Sequence, residues 1–306
     1  MAQQQARDSA VLEQEVVQRI AHLRLRARRA VEGLRSGIHR SPHRGASVIF
    51  AEHREYRPGD DLRLLDWRAY ARSDRHTIKR FEQETHLRAH LLLDVSASMR
   101  FDGGDPATDK LGYAATLLAA MAFILLGQGD AVGALALTRS VHEVLPARAR
   151  PGQLDAVLAL LERAPEQPDR TDLEVALAAC AERVGRRGLV VLASDLLDMS
   201  VTALDPLTRL RALGHDVIVL HVMHPHELDF PFHERARFAD PESGETMDSD
   251  PDAVREAYKT ELSAFLVGAH QRCTAAGARY VLARSDEPPQ EAVAEAVTPK
   301  ARRAWA

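Results

Sequence analysis

Leu91-Leu92-Leu93-Asp94-Val95-Ser96-Ala97-Ser98-Met99 is the stretch from which the rest of this chain can be read. An apolar run stops at an acid, and two hydroxyls follow at alternating positions. With Ala89 and His90 before it, the run suits a strand buried on both faces of a sheet. Asp94 then stands at the strand's carboxyl end, the edge at which open α/β sheets bind ligands. One carboxylate and two hydroxyls from a single loop are hard oxygen donors. They suit a small hard cation, Mg²⁺ above all, with water filling the other positions. The same residue types also suit helix capping, in which side-chain oxygens accept from free backbone N–H groups. The stretch alone leaves both readings open.

A second stretch repeats the pattern. Gly188-Leu-Val-Val-Leu-Ala-Ser-Asp195 is another apolar strand that finishes in an acid. Two neighbouring parallel strands ending in acids at one sheet edge would hold two carboxylates close enough to repel, and a cation relieves that repulsion. Asp198 reads as a helix-start acid beyond the site.

Composition narrows the class. The chain has 306 residues, 45% hydrophobic and 27% charged, which is globular and long enough for one large domain with an appendage, or for two. A net charge of −4 does not mark a dedicated nucleic-acid binder. Cys180 and Cys273 form no CxxC pair, so neither a disulfide framework nor a thiolate zinc site is indicated, and a reducing, cytoplasmic setting fits. The first residues have no apolar core behind them and do not read as a signal peptide. Residues 111–129 carry no charge, but their apolar stretch is short against the ~20 residues of a membrane span. Because they follow the Asp-Ser loop directly, they read as a buried crossover helix.

Along the rest of the chain, helices and strands alternate. Val16, Ile20, Leu23, Ala27, Val31 and Leu34 share one face of a helix over 9–34, with Gly37 as its stop. Arg19, Arg24, Arg26, Arg28, Arg29 and Arg35 lie off that face. No aromatic residues interleave to stack on bases, so a solvated face docked on the body is the simpler reading. Strands are expected at 131–137, 141–145, 216–223 and 278–283, and helices at 110–128, 151–163, 204–213 and 252–276. A further helix runs to 184, with Thr171 as its N-cap and Glu174 completing a capping box. Residues 237–247 read as a hairpin turning at Glu242-Ser-Gly244. Three histidines and two acids in 224–233 invite a zinc reading, but Pro225 and Pro231 make that segment extended, and no ligand pair sits on a regular element. Residues 47–80 interleave arginines and acids in balance, as an ion-pair network around Trp67 would.

That interleaved segment carries a resemblance. Arg40-Ser-Pro-His-Arg-Gly45, Glu52-His-Arg-Glu-Tyr-Arg-Pro-Gly-Asp-Asp-Leu-Arg63, Asp66-Trp67, Arg72 and Phe81-Glu82, with Asp94-Val-Ser-Ala-Ser98, resemble the signature of the domain of unknown function 58 family. The likeness is to its von Willebrand factor A-like branch, associated with MoxR-type AAA+ ATPases, and runs from about residue 37 to beyond 280. It implies a metal-ion-dependent adhesion site built from Asp94, Ser96, Ser98, Thr171 and Asp195. That site would hold Mg²⁺ or Mn²⁺ and leave a position for a partner's Glu or Asp. It also implies that the partner is a MoxR-type ATPase and the chain an adaptor in chaperone-like remodelling or complex maturation. Arg57, Asp60, Asp61, Asp66, Trp67 and Arg72 become structural or partner-contact candidates. Many members of the family carry membrane spans ahead of this region. An amphipathic helix stands there instead, and a cytoplasmic location is expected.

The expected fold is α/β, a von Willebrand factor A-like, doubly wound, mostly parallel sheet with an N-terminal α+β subdomain. The expected division is a basic helix at 1–37, the charged subdomain at 38–87, the α/β domain at 88–290 with a hairpin insertion near 236–248, and a tail at 291–306. Two other functions compete with docking. A metal-dependent hydrolase or phosphatase would use Asp94 as nucleophile or ligand. However, Ser96 stands where an aspartyl-phosphatase loop wants a second acid, and no GxxxxGK[ST] cradle occurs. An acidic-surface or nucleic-acid binder would use the arginine helix. No catalytic constellation is apparent, so an enzyme is not expected.

Overall fold

The computed structural model describes residues 2–35, 48–55, 77–83, 87–138, 141–163, 172–185, 187–197 and 205–298. Thr171, Asp198, Arg57, Asp60, Asp61, Asp66, Trp67 and Arg72 lie outside the described residues.

The chain divides into two compact units, one of residues 41–87 and one of 1–40 with 88–306. In the smaller unit, β1 (Val48–Glu55) pairs antiparallel with β2 (Thr77–Gln83), with an irregularity between Phe50 and Glu52. The larger unit is built on a six-stranded sheet in the order β10-β7-β6-β3-β4-β5. Its strands are β3 (Arg88–Asp94), β4 (Ala131–Leu137), β5 (Val141–Arg148), β6 (Gly188–Ser194), β7 (His215–Met223) and β10 (Arg279–Arg284). All neighbours are parallel except β4 and β5. The central strands are buried on both faces, which is why they read as unbroken apolar runs instead of alternating ones.

Each face buries a helical layer. On one face Leu92, Val190, Leu192, Val217 and Val219 pack with residues of α4 (Leu173–Arg183), α5 (Asp205–Ala212) and α7 (Pro251–Ala275), among them Leu177, Leu207 and Cys273. On the other lie α2 (Lys110–Gly127) and α8 (Pro289–Val297), with α1 (Ala2–Arg35) and α3 (Gln153–Glu162) beside α2. Leu23, Ala27, Ala30, Val31 and Leu34 bury the apolar stripe of α1. Three of its arginines pair with acids, Arg19 with Glu162, Arg24 with Asp155 and Arg28 with Glu32, and Arg26 donates to the Gly112 carbonyl at 3.0 Å. Such exposed pairs contribute only about 0–1 kcal/mol each, so α1 is held chiefly by its apolar stripe.

Two local readings are corrected. The N-cap of α4 is Asp172, whose carboxylate accepts from the Val175 N–H at 3.0 Å, so the cap falls one residue after Thr171. Pro225 does not extend the chain but opens the short helix α6 (Pro225–Asp229), where its fixed φ and missing N–H fit the first helical position.

His90, in β3, is buried beside His215. Burial first, and then the nearby charges of His215 and Arg88, push its pKa down to about 4, against a hydrogen bond to the Val184 backbone that raises it. The unfolded imidazole takes a proton near pH 6.5. This group's contribution to stability is therefore complete above that pH and is lost as pH falls toward 4, by about 2 kcal/mol at pH 5. An NMR titration should find the His90 ring neutral at pH 5.5, with its midpoint near 4.

Candidate metal centre

β3 and β6 run side by side in register, Leu93 opposite Ala193, so Asp94 and Asp195 emerge at the same sheet edge. After β3 the chain moves to β4 on one side and later returns as β6 on the other, which makes this edge the topological switch point of the sheet. Asp94 and Asp195 are each only 2% exposed, and Ser96 and Ser98 are buried with them.

Asp94 Oδ1 accepts from the Ser96 N–H at 3.0 Å, which sets the tight turn out of the strand. Its Oδ2 accepts from the Ser194 hydroxyl at 2.7 Å. Burial, and next the charge of Asp195, raise the Asp94 carboxyl well above the usual carboxylate range, against the hydrogen bonds from Ser194 and Ser96 that lower it. The repulsion expected from two acid-ended strands is therefore present. Ser96 Oγ and Ser98 Oγ lie 3.0 Å apart. That is a hydrogen bond between hydroxyls. It is also close to the ~2.9 Å between adjacent ligands of an octahedral ion with ligands at about 2.05 Å.

Asp195 is met by a cation from the protein itself. Lys110 opens α2 and is fully buried, and its Nζ donates to Asp195 Oδ2 at 2.9 Å and to Glu227 Oε1 at 2.7 Å. Burial would lower the ammonium's pKa, but the two carboxylates more than offset it and hold it above the ordinary lysine value. Glu227 sits on α6, and its Oε2 accepts from the His224 N–H at 2.8 Å. Within 224–233, His224 caps α6 through Nδ1, and its Nε2 lies 2.9 Å from the Thr108 hydroxyl.

The backbone of Asp195 is fixed from β7. His221 Nε2 donates to the Asp195 carbonyl at 2.8 Å, and Nδ1 accepts from the Tyr280 hydroxyl at 2.7 Å. A carbonyl can only accept, so Nε2 carries the proton. Next in the chain, Leu196 adopts a left-handed φ of 57° and is buried, a strained conformation of the kind that clusters at functional turns. Its N–H donates to Ser194 Oγ at 3.0 Å. Tyr280→Phe removes the donor to a buried imidazole and should lower unfolding free energy by about 1–3 kcal/mol in a urea titration.

Of the five residues expected at the site, Asp94, Ser96, Ser98 and Asp195 come together, and Thr171 lies outside the described residues. Among the described residues no three His, Cys, Asp or Glu gather as a metal-holding group, so the candidate donor set is two carboxylates with two hydroxyls. Hard oxygen donors of this kind suit Mg²⁺ or Mn²⁺, with the Asp195 charge already met in part by Lys110. The sequence reading missed Lys110, Ser194 and Glu227. Lys110 carried a signal, because it is the one charged residue in the helix KLGYAATLLAAMAFILLG.

Comparison with known proteins places the chain. Residues 52–265 match the family model described as "Protein of unknown function DUF58". The uncharacterized proteins Rv1480 of Mycobacterium tuberculosis and Mb1516 of Mycobacterium bovis are each 28% identical over 267 residues, covering 86% of this chain and 83% of theirs. Among solved structures, an aerotolerance-related membrane protein from Bacteroides fragilis is 20% identical with a TM-score of 0.45, covering 69% of this chain and 98% of that one. The conserved hypothetical protein BatB from Bacteroides thetaiotaomicron is 17% identical with a TM-score of 0.44, over 68% and 96%. The cytoplasmic location expected from the sequence is corrected here. Residues 106–127 of this chain are long and apolar enough to cross a membrane by length and composition, with 67% of that window buried in the fold. The mixed α/β architecture, with its six-stranded, mostly parallel sheet, is von Willebrand factor A-like, and the chain belongs to the DUF58 family.

Proposed function

We propose that this protein is a divalent-cation-dependent docking module. The observation that carries the reading is the meeting of Asp94 and Asp195 at the switch point, with the Ser96 and Ser98 hydroxyls 3.0 Å apart beside them. Ser96 and Ser98 would offer hydroxyls to the ion, and Asp94 and Asp195 would offer charge. A bound Mg²⁺ or Mn²⁺ would supply a Lewis-acidic point for a partner's carboxylate. Both Asp94 oxygens already accept hydrogen bonds within the fold, which suits a ligand held in place better than a nucleophile.

Family resemblance suggests a MoxR-type AAA+ ATPase as the partner, with the chain acting as its adaptor in remodelling or maturation of other complexes. The test is capture from native lysate with the full chain as bait. A MoxR-type ATPase should be retained in Mg²⁺, released by EDTA, and not captured by Asp94→Ala. Retention that ignores both EDTA and the substitution would remove the ion from the function.

A further inference from the structure

The hairpin after α6 reaches back to the candidate site. Its strands, β8 (Ala236–Ala239) and β9 (Thr246–Ser249), are tied by Arg237, which donates to both Asp248 oxygens at 2.8 and 3.3 Å. At its root, Phe238 stacks on Phe230 with ring centroids 5.9 Å apart. The turn is closed by the Asp240 N–H on the Glu245 carbonyl at 2.8 Å and is allowed by Gly244 at φ +73°. Asp240 Oδ1 also accepts from the Glu242 N–H at 2.9 Å, which fixes the backbone of the residue at the tip. From there Glu242 Oε1 accepts from the Ser98 N–H at 3.0 Å, across 144 residues of sequence.

The hairpin thus delivers a carboxylate onto the loop that carries both hydroxyls, although its own strands are largely exposed. A carboxylate is the chemical class that would complete the shell of a hard divalent ion held there. We propose that Glu242 is the chain's own stand-in for the partner's acid: it covers the ion at the Ser96–Ser98 loop until an acidic side chain of the partner displaces it. The inference rests on the docking reading above. A tethered acid competes at an effective concentration on the order of mM, so a partner must out-compete it, and only a well-fitted acidic segment would open the site.

The test uses the full chain as wild type, Glu242→Gln and Glu242→Ala, with Mn²⁺ as probe. Electron paramagnetic resonance counts bound ion, and water-proton relaxation counts the waters on it. Glu242→Gln keeps the size of the side chain and loses its charge. All three proteins should bind Mn²⁺, with the bound ion in the variants carrying about one more exchangeable water than in wild type. Added acetate should remove that extra water from the variants and leave the wild type unchanged. Equal hydration in all three overturns the role of Glu242 while the docking reading stands. Absence of Mn²⁺ binding in all three overturns the docking reading, and this inference with it.

Discussion

Replacing Lys110 by methionine is expected to destabilise the metal-free protein by roughly 3–5 kcal/mol, read as a shift in the urea midpoint at unchanged slope. The methionine fills a similar volume, so packing is nearly kept and the loss is electrostatic. Asp195 and Glu227 each lose an ammonium at hydrogen-bond distance, and Asp195 is left buried beside Asp94. The same substitution should raise affinity for a divalent ion, because it removes a positive charge from one of the candidate ligands. Mn²⁺ should therefore restore part of the lost stability in Lys110→Met and add less to wild type. A variant as stable as wild type without metal would show that the buried pair is not what holds this edge together.

Asp94→Asn is expected to act in opposite directions on stability and on ion binding. Without metal, the Asp94 carboxylate is buried, repelled by Asp195, and held by hydrogen bonds that offset only part of the cost. Each pH unit by which burial and repulsion displace a carboxyl corresponds to about 1.4 kcal/mol. Removing the charge should therefore raise unfolding free energy by roughly 1–3 kcal/mol at pH 8. Affinity for Mn²⁺ should fall by on the order of 100-fold or more, since loss of mere supporting groups around a metal already costs about 10–100-fold. Gain of stability with loss of binding marks a residue kept for function at the fold's expense. A variant that is both less stable and unchanged in ion binding would mark Asp94 as a structural residue.

How much of this was legible in the sequence depends on how far each interaction reaches. The paired strand ends could be read because an apolar run stopped by an acid is a local signal, and Leu91–Asp94 and Leu189–Asp195 each contain it. The hairpin turn at Glu242-Ser-Gly244 was legible for the same reason, since turn residues carry their own conformational preference. Where the hairpin leans was not, because the contact of Glu242 with Ser98 depends on how α6 and the Phe230 cluster set its root. The pairing of Lys110 with Asp195 was hidden similarly. It spans 85 residues and depends on which turn of α2 meets the end of β6. The cap of α4 was missed by one residue because Thr171 and Asp172 are both good capping residues and only backbone geometry selects between them. The segment 224–233 misled because Pro225 can either extend a chain or open a helix, and His224 beside it supplies a cap that composition does not reveal.

The most direct measurement is calorimetric titration of the purified, EDTA-treated chain with Mn²⁺, run beside Asp94→Asn. One saturable ion per chain in wild type, absent or weakened at least on the order of 100-fold in Asp94→Asn, is the expected result. Identical titrations for the two proteins, or no saturable uptake by wild type at millimolar ion, would contradict a cation site between the ends of β3 and β6.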